Sequence, residues 1–210
     1  MMRVLDLAHE AIIDDTPATK RDIYYKDVLL FRNQRTVNSL VDDIAATLTL
    51  QRSDLNIRAA SKGLVAGAGL VVHLHSDDVL RINDTEGTLI PPGEEIKALV
   101  VDPSICWVLI VEKEAVFQTL CRLRLTDHPS LPRGLMLTGK GYPDIATRYF
   151  VRSLGDLLPA RIPILAMVDG DPYGIDILSV YKFGSRGLQH EKSATDRIIW
   201  LGLRSSELAS

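Results

Sequence analysis

The chain has 210 residues, 46% hydrophobic and 24% charged, with 14 Gly and 10 Pro, a globular composition that excludes a disordered tail, a collagen-like rod and a disulfide-stapled miniprotein. A formal net charge of −3 argues against a simple nucleic-acid binder, because an anionic partner has to be held by local clusters and not by the overall field. A soluble intracellular protein is expected. No apolar run reaches the roughly 18–20 residues that span a bilayer. The N-terminus carries Arg3, Asp6 and Glu10, unlike a signal peptide, and Cys106 and Cys121 form no CxxC pair.

In chain order, Met2 to Ile13 reads as a helix, with Val4, Leu5, Ala8, Ala11 and Ile12 as its stripe, broken by Pro17. Thr19 with Asp22 is an acidic variant of the capping box, and a second helix is predicted from Lys20 to about Arg32. A third, from Thr36 to about Leu48, carries Val37, Leu40, Val41, Ile44 and Leu48 at helical spacing. Residues 57–74 are Gly-punctuated and β-prone, which reads as a hairpin. Three helices and a hairpin is the order of a winged helix.

Residues 63–101 carry two Lys/Arg against six Asp/Glu, whereas 1–62 (nine against nine) and 102–210 (thirteen against twelve) are balanced. The acidic stretch 75–97 is broken by Asn83, Gly87, Pro91, Pro92 and Gly93, which predicts a short strand pair, a linker and the domain boundary. Beyond it lie three continuous apolar runs, 107–112, 134–138 and 162–169, typical of parallel strands buried on both faces. Helical segments at roughly 113–125 and 143–157 separate them, so the second half is predicted to be a parallel α/β domain.

Two constellations carry chemistry. Glu112 and Asp169 end two of the apolar runs, and Asp171 follows in VDGDPYGID. Ligands of open parallel sheets bind at the carboxyl ends of strands, so these carboxylates are expected on one edge with no obvious basic partner. A hard divalent cation, Mg²⁺ where phosphate completes its shell, is their usual remedy. A lone DxD also caps helices and starts turns, and Glu114 reads as a solvated helix residue. On a wheel of residues 20–32, Ile23, Tyr24, Leu30 and Phe31 share one side. Tyr25 falls opposite, with Arg21 and Arg32, and Asp27 lands unexplained in the apolar face. Tyr25 is then either surface packing or a nucleophile. A phenol, with an ordinary pKa of about 10, needs neighbouring cations for the second role.

Together TKRDIYYKDVLLF, KGLVAG, VLIVEKEAVF, TGKGYPD and MVDGDPYGIDI resemble the meiotic DNA double-strand-break proteins that are homologous to the A subunit of topoisomerase VI. The likeness runs through nearly the whole chain. It implies a mixed α/β protein: a winged-helix (CAP-like) domain carrying the tyrosine over 1–75, an acidic linker with short strands over 76–103, and a Toprim metal-binding domain over 104–210. The second tyrosine of IYY, Tyr25, is implied to be the nucleophile, with Arg21 acting on the scissile phosphate. Glu112, Asp169 and Asp171 match the Toprim acidic triad and are implied to hold Mg²⁺. Lys62, Lys140 and Tyr142 fall where the family contacts DNA, and turn chemistry around Gly63, Gly139 and Gly141 is their other reading.

The resemblance further implies transesterification of double-stranded DNA through a 5′-phosphotyrosyl link in a homodimer whose sites are shared between protomers. Its implied partners include a topoisomerase VI B-like subunit with accessory meiotic proteins, and the nucleus is its implied location. Family members are expected to continue past WLGLRSSEL, so the second domain is expected to be incomplete at Ser210. That leaves a non-catalytic DNA-binding scaffold as an alternative. A phosphatase or nucleotidyl transferase using DxD is opposed by Pro172 and Tyr173 at the turn.

Overall fold

The computed structural model describes residues 1–50, 52–58, 61–184 and 195–202, and the chain divides into two compact units at Ala60/Ser61. The first comprises α1 (Met2–Ile13), β1 (Ala18–Thr19), α2 (Lys20–Lys26), α3 (Val28–Phe31), α4 (Gln34–Leu48) and β2 (Ile57–Arg58). Val4, Leu7, Ala8 and Ala11 form the buried stripe of α1, and Val37, Val41, Ile44 and Ala45 that of α4, the spacing of helices that each bury one face. Most of these meet Ile23, Phe31, Leu55 and Ile57 in one core. The short parallel pair β1–β2 matches Ala18 with Ile57.

The predicted capping box is present: the Thr19 side chain accepts from the Asp22 N–H, and Asp22 accepts from the Thr19 N–H at 2.8 Å. The helix predicted to run on to Arg32 instead breaks at Asp27 (φ −152°, ψ 66°), whose carboxylate accepts from the Leu30 N–H at 3.2 Å and caps α3. This is why a carboxylate occupies a position that a continuous wheel makes apolar: Asp27 begins a helix and does not lie inside one. The third helix starts two residues before Thr36, because Asn33 accepts from the Thr36 N–H.

The second unit holds β3 (Leu64–Ala66), β4 (Leu70–Leu74), β5 (Val79–Arg81), β6 (Thr88–Leu89), β7 (Ile96–Val101), β8 (Trp107–Val111), α5 (Glu114–Arg122), β9 (Gly134–Thr138), α6 (Ile145–Leu157), β10 (Ile164–Met167), α7 (Pro172–Phe183) and β11 (Ile198–Trp200). Six strands form one sheet in the order β11-β10-β8-β9-β3-β6, and β5-β4-β7 form another. Strands β8 to β11 are parallel, with β3 antiparallel to β9 and β6 antiparallel to β3.

Among the described residues, the segment 57–74 therefore forms no hairpin. Strands β3 and β4 enter different sheets, and the turn between them passes through Gly67 and Gly69 at φ +129° and +104°, a region glycine reaches without a Cβ penalty. The segment 76–103, expected to hold short strands and a linker, supplies β5 and β7, both of which pair with β4. The division between units accordingly falls earlier than the boundary expected within 75–97. The end of the second domain, beyond residue 202, lies outside the described residues.

The three apolar runs form strands β8, β9 and β10, and side-chain alternation explains why they are apolar throughout. Val108, Ile110, Leu135, Leu137, Ile164 and Ala166 enter a core with Phe150 and Leu154 of α6 and Ile177 and Tyr181 of α7. Leu109, Val111 and Met136 enter a second core with Phe117 and Cys121 of α5. Burial there pushes the Cys121 thiol up to about 11, whereas Cys106 is exposed and both cysteines are free.

Candidate active site

On α2, Ile23 is buried, Tyr24 packs half-buried against the first core, and Tyr25 is 62% exposed. The two rings lie 5.4 Å apart between centroids. This is the split the helical wheel predicts. Arg21 is exposed and precedes Tyr25 by four residues on the same helix, which places both on one face. Arg32 is different: it lies beyond the Asp27 break with φ +62°, so the continuous wheel that set it beside Tyr25 does not hold.

The acidic edge follows from sheet register. β8 ends at Val111, opposite Met167 at the end of β10. Glu112 and Asp169 thus leave the sheet side by side at its carboxyl edge. The Glu112 N–H donates to the Met167 carbonyl at 3.1 Å, and the Asp169 N–H donates to Glu112 Oε2 at 2.9 Å. Asp171 caps α7, with Oδ1 accepting from the Gly174 N–H at 2.8 Å. A Cβ on Gly174 would collide with the Asp169 carbonyl oxygen, so only glycine lets α7 begin this close to the acidic turn.

Contrary to the sequence expectation, the carboxylates have a basic partner. Lys113 Nζ lies 2.7 Å from Asp169 Oδ2. The Asp169 carboxylate foremost, with Glu112 and Asp171 adding their field, raises the Lys113 ammonium above its ordinary value. Among the described residues no three His, Cys, Asp or Glu side chains are grouped around one point as ligands: Glu112, Asp169 and Asp171 each direct an oxygen at an N–H or an ammonium. Their chemistry nevertheless fits a hard divalent cation, with three carboxylates at one strand edge. The Lys113 ammonium already stands there as a cation.

The TGKGYPD loop is fastened to the same edge. The Gly141 N–H donates to the Glu112 carbonyl at 3.0 Å, as does Thr138 Oγ1 at 3.3 Å. Lys140 adopts φ +54°, uncommon for a residue with a Cβ, and its ammonium pairs with Glu114 at 2.9 Å. Glu114 is therefore not simply solvated. Lys62 Nζ donates to the Lys140 carbonyl at 3.2 Å, and its N–H donates to Asp144 Oδ2 at 2.7 Å. Asp144 also caps α6. Tyr142 is exposed and its hydroxyl donates to Asp176 Oδ2 at 2.6 Å, a bond that raises the phenol above its ordinary value.

Sequence reasoning missed Lys113, Asp144 and Asp176. A lysine directly after a strand-end carboxylate, and an Asp before an apolar helix, are signals for the first two. The Tyr142–Asp176 pair has none, being a contact between a loop and a helix.

Comparison with known proteins agrees with both halves. Residues 1–57 match the family described as "Type IIB DNA topoisomerase", and residues 107–210 match the Toprim domain shared by Spo11 and the A subunit of topoisomerase 6. The chain is 41% identical over 191 residues to the Meiotic recombination protein rec12 of Schizosaccharomyces pombe, covering 91% of this chain and 52% of that one. It is 39% identical over 217 residues to the Meiotic recombination protein SPO11 of Mus musculus, covering 99% and 52%. With the A subunit of DNA topoisomerase 6 from Arabidopsis thaliana it is 36% identical over 212 residues, covering 98% and 47%. The chain thus spans about half the length of the curated relatives it matches. The parallel strands with their carboxylate edge, the IYY helix and these matches together make the chain a member of the family that unites Spo11 with the A subunit of topoisomerase VI.

Proposed function

We propose that this chain carries the DNA-cleaving core of a type IIB topoisomerase-like tyrosine transesterase, the activity that makes meiotic double-strand breaks. One observation carries the reading: the two separately matched parts each present one requirement of the reaction. The first offers an exposed phenol on a capped helix with Arg21 one turn before it, the second a strand edge bearing three carboxylates. The helices α1, α2 and α4 of the first unit support a winged-helix (CAP-like) DNA-binding domain, to which the described residues of 57–74 add no β-hairpin wing.

Tyr25 Oη gives up its proton and attacks the phosphorus of a backbone phosphate. The bond from phosphorus to the 3′ oxygen breaks, that oxygen takes up a proton, and the 5′ end stays esterified to Tyr25. One ester replaces another, so neither water nor ATP enters the chemical step. Arg21 counters charge on the phosphate under attack. Glu112, Asp169 and Asp171 would hold Mg²⁺, which when bound neutralises charge developing on the phosphate oxygens. Lys62, Lys140 and Tyr142 contact the DNA backbone and set its register without reading sequence. Two protomers, each lending its tyrosine to the other's acidic edge, cut two strands. Accessory meiotic proteins and a topoisomerase VI B-like subunit complete the reading, with a nuclear, chromosome-associated location.

The test is a covalent adduct. The chain is incubated with duplex DNA and Mg²⁺, denatured and digested, and Tyr25 is examined by mass spectrometry for an attached nucleotide. Tyr25→Phe is expected to lose the adduct to below detection while duplex binding stays near wild type. An adduct that persists in Tyr25→Phe and maps to Tyr24 overturns the assignment. Salt-dependent duplex binding with no adduct, even with the chain extended at its C-terminus and partners present, favours the non-catalytic scaffold.

A further inference from the structure

Three carboxylates on one strand edge repel one another, and the fold answers with a cation of its own. Lys113 follows Glu112 directly, its ammonium sits 2.7 Å from Asp169 Oδ2, and Glu112 and Asp171 lie within its field. Its side chain is 60% exposed, and an exposed ion pair contributes little to stability. Lysine is also the releasable choice. Its ammonium is a hydrated point charge on a flexible four-carbon stem, whereas an arginine fork would grip a carboxylate in two places.

We propose that Lys113 is a built-in counter-ion that a divalent cation must displace from Asp169, so that loading this strand edge exchanges an ammonium for a metal ion. The metal-free edge is thereby kept from self-repulsion, and the metal competes with a tethered charge in place of meeting a bare site. This rests on reading Glu112, Asp169 and Asp171 as the cation's ligands, and it makes Lys113 a positioning residue for Asp169.

The full chain is titrated with Mn²⁺, with free ion followed by electron paramagnetic resonance, in wild type, Lys113→Met and Lys113→Arg. Lys113→Met is expected to bind about three- to tenfold tighter, as when one exposed pair and one like charge leave a cation's surroundings. Lys113→Arg is expected to return to the wild-type affinity or below, and Asp169→Asn added to Lys113→Met to abolish the tightening. In wild type, the side-chain NMR signal of Lys113 next to its ammonium is expected to shift on adding Mg²⁺, saturating with metal occupancy. Tight binding with no gain in Lys113→Met, or a Lys113 signal that stays still while metal binds, overturns the exchange and leaves the ligand reading standing. No Mn²⁺ binding in any variant overturns both.

Discussion

The two units present their chemistry in different ways. In the first, the tyrosine is set by short-range rules: Thr19 and Asp22 start α2, Ile23 turns inward to the core, and Tyr25 two residues later faces out. In the second, Glu112 and Asp169 meet through the register of β8 against β10, 57 residues apart in the chain. Lys62 reaches Asp144 across 82 residues. The difference teaches where each site is vulnerable. A change near Tyr25 acts through one helix, whereas a change in the second core moves the strand ends that bring the carboxylates together.

The largest effect that sharpens this contrast comes from the cores. Both tryptophans of the chain, Trp107 and Trp200, lie in the second unit, so their fluorescence reports on that unit. Phe117→Ala empties a fully buried site and is expected to destabilise the second unit by about 3–5 kcal/mol, lowering the tryptophan-reported urea midpoint. Phe31→Ala in the first core is expected to cost as much but to show in far-ultraviolet circular dichroism, leaving the tryptophan midpoint in place. Equal movement of that midpoint by both variants would break the comparison, because the units would then unfold as one.

A smaller effect is expected at the acidic turn. Gly174→Ala drives a methyl into the Asp169 carbonyl and should lower the same midpoint by about 1–3 kcal/mol, the range for forcing an added methyl into close packing. An unchanged midpoint would mean that the first turn of α7 yields freely and does not hold Asp169. The smallest is Thr19→Ala, expected to cost the first unit about 1 kcal/mol as a lost N-cap. Its pH dependence has a definite sign. The Thr19 N–H, then its hydroxyl, holds the Asp22 carboxyl below its ordinary 3.8. A depressed carboxyl stabilises the fold above that ordinary value, and the contribution is lost as pH falls through the folded value. The stability gap between wild type and Thr19→Ala, followed by circular dichroism, is therefore expected to narrow below 3.8. A gap that is constant in acid would mean that the Thr19 hydroxyl does not hold the Asp22 carboxylate.

What the sequence alone decided is whatever depends on neighbours a few residues away. Helical spacing set most of the inner faces of α1, α2 and α4, although Ile12 and Leu48 at helix ends lie exposed and Leu7, off the expected stripe, is buried. The Thr19–Asp22 pair set the start of α2, and continuous apolar runs announced β8, β9 and β10, because these patterns express one period of one element. The five motifs were legible too, and they carried the family and the candidate residues. What only the tertiary structure decided is whatever depends on partners chosen by topology. Strands β3 and β4 are β-prone in either arrangement, and a local pattern cannot say that one pairs with β9 and the other with β7. Asp27 needed the observed break to be seen as a cap. Lys113, free by sequence to face solvent, became the counter-ion of Asp169 because β8 and β10 end side by side, and charges that the chain holds far apart interact only where the sheet brings them within a few ångströms.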